Sequence, residues 1–219
     1  MSTPAANRDA KDGPSWLSRA WYKFSANKYW CFFKLFNRLR ITGAEKTPLT
    51  GPLVVVANHT SYLDPPLLGA VVPRQLSFLA RDTLFRGPLG WYISSLDAIP
   101  IDRDGTGLAG LRSTLTRLKR NGAVVVFPEG TRSEDGQLQP LKPGFLVLVR
   151  RGKANIQPIG MAGVIKALPR GRILPRPAKI RVSFGEPITV EQAAALDDES
   201  LLALVAERMR AALTAAEQS

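Results

Sequence analysis

The chain reads as an α/β protein: a mixed, largely parallel sheet covered by helices on both faces, preceded by an N-terminal amphipathic membrane-interface helical hairpin. Three observations carry that expectation. Beyond residue 50, short β-branched runs alternate with helix-like segments, the order that buries a sheet between two helical layers. The 219 residues hold no second hydrophobic repeat and no long linker, so one core suffices. The segment before residue 41 differs in character, being rich in aromatics and cations and, from residue 16 on, free of acids.

Taken in order, residues 1–14 are small and polar, lack the apolar core of a secretory signal, and read as a disordered tail. They precede an anchor at 15–40 and an α/β domain at 41–219. Residues 16–40 hold six cations and nine of the seventeen aromatics. Helices at 16–25 and 28–39 are expected to fold back on each other around Ser25-Ala26-Asn27. Tyr29, Phe32, Phe33 and Phe36 share one helical face while Lys34 and Arg38 point away, which is the pattern of a helix lying in a membrane interface. The apolar run 29–33 is far short of the roughly 20 residues that span a bilayer. A core helix packing the same aromatics onto the domain is the competing reading, and the absence of acids favours an anionic lipid surface.

In the body, strands are expected at 53–57, 76–79, 98–101, 123–127, 155–159 and 179–184. Helices are expected near 65–72, 88–96, 106–121, 142–152 and 198–215. The last helix carries Leu201, Leu204, Val205, Met209 and Leu213 at three- and four-residue spacing, with Asp197 and Asp198 suited to its start. Residues 171–177 form a basic, proline-punctuated loop that faces either lipid headgroups or solvent.

Thirty Lys and Arg against eighteen Asp and Glu give a formal charge of +12, which favours an anionic partner. Nucleic acid is disfavoured: there is no zinc finger, RNP-like signature or basic helix repeat, and the densest basic run lies beside aromatics. A single cysteine, Cys31, excludes an intrachain disulfide and a multi-cysteine zinc site. With one histidine there is no ligand cluster for a metal, and no cofactor is expected.

That histidine, His59, follows the apolar run 53–57, and Asp64 stands five residues on. A neutral imidazole suits proton transfer near neutral pH, and a carboxylate behind it fixes the tautomer. Five residues is about 140° around an ideal helix, so the two meet only if the chain turns at Thr60-Ser61-Tyr62. Asp64 before Pro65 and Pro66 also reads as a helix N-cap, a purely structural use of the same residue. A second segment, Phe127-Pro128-Glu129-Gly130-Thr131-Arg132-Ser133, ends the apolar run 123–126, so both segments lie at strand ends where loops present side chains. An Arg fork such as that of Arg132 matches phosphate oxygens with two parallel hydrogen bonds.

Taken with Ile101-Asp102-Arg103 between them, these segments resemble the glycerolipid acyltransferase family of lysophosphatidic acid acyltransferase type, which carries N-H-x-x-x-x-D, I-D-R and F-P-E-G-T-R-S in this order. The likeness covers residues 50–165. It implies transfer of an acyl group from acyl-CoA or acyl carrier protein, as substrates, to the sn-2 hydroxyl of lysophosphatidic acid, forming phosphatidic acid. The work would be done at the cytoplasmic face of the cell membrane by a peripheral or monotopic protein. His59 would be the general base and Asp64 its orienting partner. Arg103 and Arg132 would bind the acceptor phosphate, with Glu129, Gly130 and Thr131 shaping the acceptor pocket. Arg81 replaces a lysine usual in the family, keeping the charge, and would also contact the phosphate, and Asp97 stands where glycine is common. No G-x-S-x-G elbow is present and Cys31 lies in the aromatic segment, so direct transfer is expected rather than an acyl-enzyme. A different lysolipid acceptor, or a non-catalytic basic membrane-binding module, are the alternatives.

Overall fold

The run Leu53-Val54-Val55-Val56-Ala57 has no side to offer water, and it lies at the centre of a sheet, buried throughout. A computed structural model describes residues 16–101 and 107–219. The expectations for the tail at 1–14, for Arg103 and for the first residue of the helix at 106–121 lie outside those residues. Seven strands form one sheet: β1 (Arg40–Thr42), β2 (Leu53–Ala57), β3 (Leu76–Arg81), β4 (Ile99–Ile101), β5 (Ala123–Val126), β6 (Asn155–Ala162) and β7 (Arg181–Phe184). Their spatial order is β1-β7-β6-β2-β5-β3-β4, and every pair is parallel except β6 with β7.

The alternation of side chains along β2 sorts the two cores. Leu53, Val55 and Ala57 join one cluster with helices α1 (Trp16–Phe36) and α2 (Asp64–Val71). Val54 and Val56 join the other, below α4 (Leu108–Lys119), α5 (Leu146–Gly152), α7 (Val190–Ala194) and α8 (Asp198–Gln218). Two further helices, α3 (Gly87–Ser95) and α6 (Val164–Ala167), complete the layers. The final helix docks as its spacing predicts, burying Leu201, Val205, Met209 and Leu213 behind an Asp197 cap that accepts the Ser200 N–H. It comes so close to β6 that a Cβ on Gly160 would sit 2.2 Å from the Leu213 nitrogen, so only glycine fits there.

The N-terminal hairpin is the expectation that fails. Residues 16–36 are one unbroken helix through Ser25-Ala26-Asn27, which holds neither proline nor glycine to force a turn. Its exit comes at Asn37 and Arg38, the latter in the left-handed region (φ 47°). The face assigned to the membrane also divides differently. Phe33 is fully buried in the core, with Tyr29 and Phe32 packed against the same cluster. The outward side presents Trp16, Leu17, Phe24 and Leu35 instead. Amphipathicity shows that a face needs an apolar medium, and here the protein core supplies it. Three contacts tie α1 down: Tyr22 accepts the Leu76 N–H, Trp21 donates to Ser95 Oγ, and Tyr92 donates to Tyr29. Burial pushes the Tyr22 hydroxyl pKa up to about 12. No described helix is long and apolar enough to cross a membrane.

Candidate active site

β2 and β5 are parallel neighbours, so the loops that leave them emerge side by side, about 4.8 Å apart. Their register pairs Val56 with Val126, an offset of seventy residues that places His59 opposite Glu129. The hydrogen bonds follow that register. The His59 N–H donates to Glu129 Oε1 at 2.6 Å, and the His59 carbonyl accepts the Ser133 N–H at 2.7 Å. The second Glu129 oxygen accepts the Gln139 N–H at 2.9 Å. The loop at 127–133 therefore clasps the backbone of the histidine on both sides. Glu129 is 2% exposed, and burial holds its carboxyl above the usual glutamate range against the opposing pull of those two N–H donors.

After His59 the chain turns, with the Asp64 N–H donating to the Ser61 carbonyl, and this brings the carboxylate back under the ring. Asp64 Oδ2 lies 2.8 Å from His59 Nδ1, 2.6 Å from the Thr60 nitrogen and 2.8 Å from the Ser61 nitrogen. One fully buried oxygen thus gathers three N–H groups. Asp64 does not cap its own helix. It opens the first turn of α2, behind Leu63, and spends its carboxylate on the preceding loop. With Nδ1–H on the carboxylate, Nε2 is left as the basic nitrogen, and it makes no hydrogen bond among the described residues. The ring stacks on Phe127 at a centroid distance of 4.0 Å and an interplanar angle of 17°. Asn58 fastens the strand end, exchanging two hydrogen bonds with the backbone of Met161 on β6.

Arg132, next to the serine that holds His59, lays its guanidinium 3.8 Å from the centroid of the Tyr62 ring. Gly130 takes φ +74°, and the Lys142 side chain crosses it so closely that a Cβ would meet Nζ at 3.1 Å. Thr131 is exposed at the tip of the turn. Arg81 ends β3, two strands from β2 at the same edge of the sheet, which sets its backbone about 10 Å from the His59 loop. Asp97 keeps the left-handed conformation that glycine favours (φ 63°), steadied by an ion pair with Arg117 and a hydrogen bond from Ser77.

Beside the imidazole opens a cavity of about 470 Å³ between α1, α2, β3 and α3. Tyr29, Phe78, Leu84, Leu89 and Ile93 line it, and Tyr62 and Phe127 close it toward His59 and Arg132. This volume is in the range of small-molecule sites, and the walls are almost wholly apolar. The sequence did not disclose the cavity, nor the parts played by Asn58, Tyr62, Phe127 and Ser133. The advance signal was position alone: Asn58 and Tyr62 lie within the histidine motif, and Phe127 and Ser133 are the ends of the glutamate motif.

An imidazole with its Nε2 available and a buried carboxylate behind it, with an arginine and an apolar cavity close by, is an arrangement suited to acid–base chemistry on an amphiphilic, anionic molecule. The chain belongs to the acyltransferase family, whose model, described as Acyltransferase, matches residues 38–162. It is similar to the 1-acyl-sn-glycerol-3-phosphate acyltransferase of Bacillus subtilis (strain 168), at 27% identity over 86% of this chain and 92% of that protein. It is 31% identical to a chloroplastic enzyme of the same name from Brassica napus over 83% of this chain, and it spans 54% of that relative's length. Among solved structures, the 1-acyl-sn-glycerophosphate (LPA) acyltransferase PlsC from Thermotoga maritima matches with a TM-score of 0.75 at 28% identity, covering 89% of this chain and 80% of that one.

Proposed function

We propose that the protein transfers a fatty acyl group from acyl-CoA or acyl carrier protein to the sn-2 hydroxyl of 1-acyl-glycerol-3-phosphate, forming phosphatidic acid. The observation that carries this reading is the His59–Asp64 pair clasped by the loop at 127–133 beside an apolar cavity. The relatives' names supply the acceptor.

In the mechanism, His59 Nε2 takes the proton of the acceptor hydroxyl as its oxygen attacks the thioester carbonyl carbon. The Asp64 carboxylate stabilises the imidazolium that forms. The C–S bond then breaks, and the proton passes from His59 to the departing thiolate, leaving a free thiol and an ester. Base catalysis of this kind contributes about 10²- to 10⁴-fold, and the remainder comes from holding the reactants together. Arg132, with Arg81 and Arg103, would bind the acceptor phosphate, and the apolar cavity would take an acyl chain. Glu129, with Gly130 and Thr131, would hold the loop in shape, Glu129 acting on catalysis through the backbone of His59. No cofactor or metal has a part in this chemistry. The aromatic outer side of α1 would rest on the cytoplasmic leaflet of the cell membrane.

Lipid mass spectrometry of the protein on anionic vesicles, given oleoyl-CoA or oleoyl carrier protein with lysophosphatidic acid, tests this. Phosphatidic acid is expected from the wild type and not from His59→Ala. Equal product from both would refute the mechanism, and product only with another lysolipid would correct the acceptor.

A further inference from the structure

The loop at 168–180, between α6 and β7, carries two of the most exposed large apolar side chains among the described residues: Ile173 is 90% exposed and Leu174 78%. Their exposure is not slack. The Arg172 N–H donates to the Pro169 carbonyl, the Arg176 N–H to the Ala167 carbonyl, and the Arg176 side chain to the Lys166 carbonyl. Pro175 and Pro177 fix φ on either side of Arg176. The loop is thus built to hold an Ile-Leu tip out in the open.

What it is fastened to gives the tip its meaning. On one side, the Arg170 guanidinium donates to the carbonyl of Arg132 and to Glu134. On the other, the Arg176 carbonyl accepts from Asn37, one residue beyond α1, and Asn37 in turn accepts the Ile180 N–H. Leu174 is two residues from Arg176, at most about 7 Å of chain. The tip therefore lies between the segment of the candidate phosphate-binding arginine and the end of α1, where Leu35 and Phe36 are exposed. The charge around it has one sign. From residue 136 to residue 185 the chain has ten Lys and Arg and no acid, with Arg172 and Lys179 exposed beside the tip.

We propose that residues 171–177 are a second bilayer contact, in which Ile173 and Leu174 enter an anionic leaflet while Arg172 and Lys179 meet the headgroup phosphates, setting the height of Arg132 above the lipid. A two-residue apolar tip is far too small for a stable protein–protein interface, which takes about 800 Å² per partner. It suffices as a wedge into lipid, where each neighbouring cation strengthens attachment about fivefold. The contact extends the outer apolar side of α1 toward the site, and it stands whatever the acceptor turns out to be.

The test uses the full chain and reads binding without turnover. In a Cys31→Ser background, an environment-sensitive fluorophore is attached at Leu174→Cys, and in a control at Glu207→Cys on α8. Vesicles are phosphatidylcholine with one quarter phosphatidylglycerol, with and without lipids brominated near the glycerol end of the acyl chain. Quenching at 174 and not at 207 is expected. The double variant Ile173→Ser, Leu174→Ser is expected to lower partitioning about tenfold with an unchanged melting temperature, because neither side chain is buried. An unquenched label at 174 on vesicle-bound protein, or unchanged partitioning of the double variant, would overturn the proposal. Loss of affinity for acidic acyl carrier protein with vesicle binding intact would overturn it in favour of a protein partner.

Discussion

Replacing Asp64 by asparagine separates the charge of the carboxylate from its geometry. The Thr60 and Ser61 nitrogens, at 2.6 and 2.8 Å, and His59 Nδ1, at 2.8 Å, all converge on Oδ2, so the amide must turn its oxygen to that position. The three donors then keep an acceptor, and the imidazole keeps its tautomer. The amide nitrogen is forced to the place of Oδ1, which is buried without a partner among the described residues, at a cost in stability of about 1–3 kcal/mol. What is lost in catalysis is the attraction between carboxylate and imidazolium. Hydrogen bonds to charged groups exceed neutral ones by roughly 1–1.5 kcal/mol, and Coulomb's law at ε ≈ 20 gives about 4 kcal/mol at 4 Å. A value between these, about 2.7 kcal/mol, lowers kcat 10²-fold. Acyl transfer by untagged protein is measured beside the ¹⁵N spectrum of its imidazole, which needs no assignment because His59 is the only histidine. A reversed tautomer, or full activity with the tautomer kept, would refute the reasoning.

Glu129→Gln must point an amide nitrogen at either the His59 or the Gln139 N–H, and kcat is expected to fall about 10- to 100-fold in a protein that still folds. Unchanged kcat would show that the backbone clasp is dispensable. Arg132→Ala should raise KM for a phosphate-bearing acceptor about 10- to 100-fold and leave KM for the donor alone. Lysine should restore little, since it neither forks onto phosphate nor stacks flat on Tyr62. Ala98→Phe, at the wall of the apolar cavity, should move the preference from oleoyl toward lauroyl donors by about tenfold in competition assays. An unaltered preference would assign the acyl chain to another place.

The sheet was readable because its central strands are uninterrupted apolar runs built on three consecutive valines, as in 53–57 and 123–126. Strand β1 was not, since three residues at an edge carry no period, and its partner Val182 is distant in sequence. At the site, residue types showed that His59 and the Glu129 loop sit at strand ends. That one holds the other depends on which strands are neighbours and in what register, which is a property of the assembled sheet. The turn expected at Ser25-Ala26-Asn27 has no proline or glycine to make it, and the side of the helix that faces the core is not legible in sequence because aromatic spacing has the same appearance whether the apolar medium is lipid or core. Asp97 was flagged because glycine is usual there, and a side chain that pays for its own left-handed backbone through Arg117 and Ser77 is invisible until the fold is formed.

Phe33 and β1 belong to a core completed by Ile180, Val182 and Phe184, about 140 residues downstream. At ribosomal speeds those residues follow after about 7–30 s. Through that interval the first helix is outside the ribosome with its outer aromatic side bare and its inner one facing a core that is still incomplete. A bilayer or a chaperone is the shelter within reach, so the helix needs an apolar partner well before the core that receives Phe33 is complete. Trimming it to make the protein more tractable would have the opposite effect: it would take Phe33 out of the core that holds Val182 and Phe184, and Tyr22 away from the Leu76 N–H.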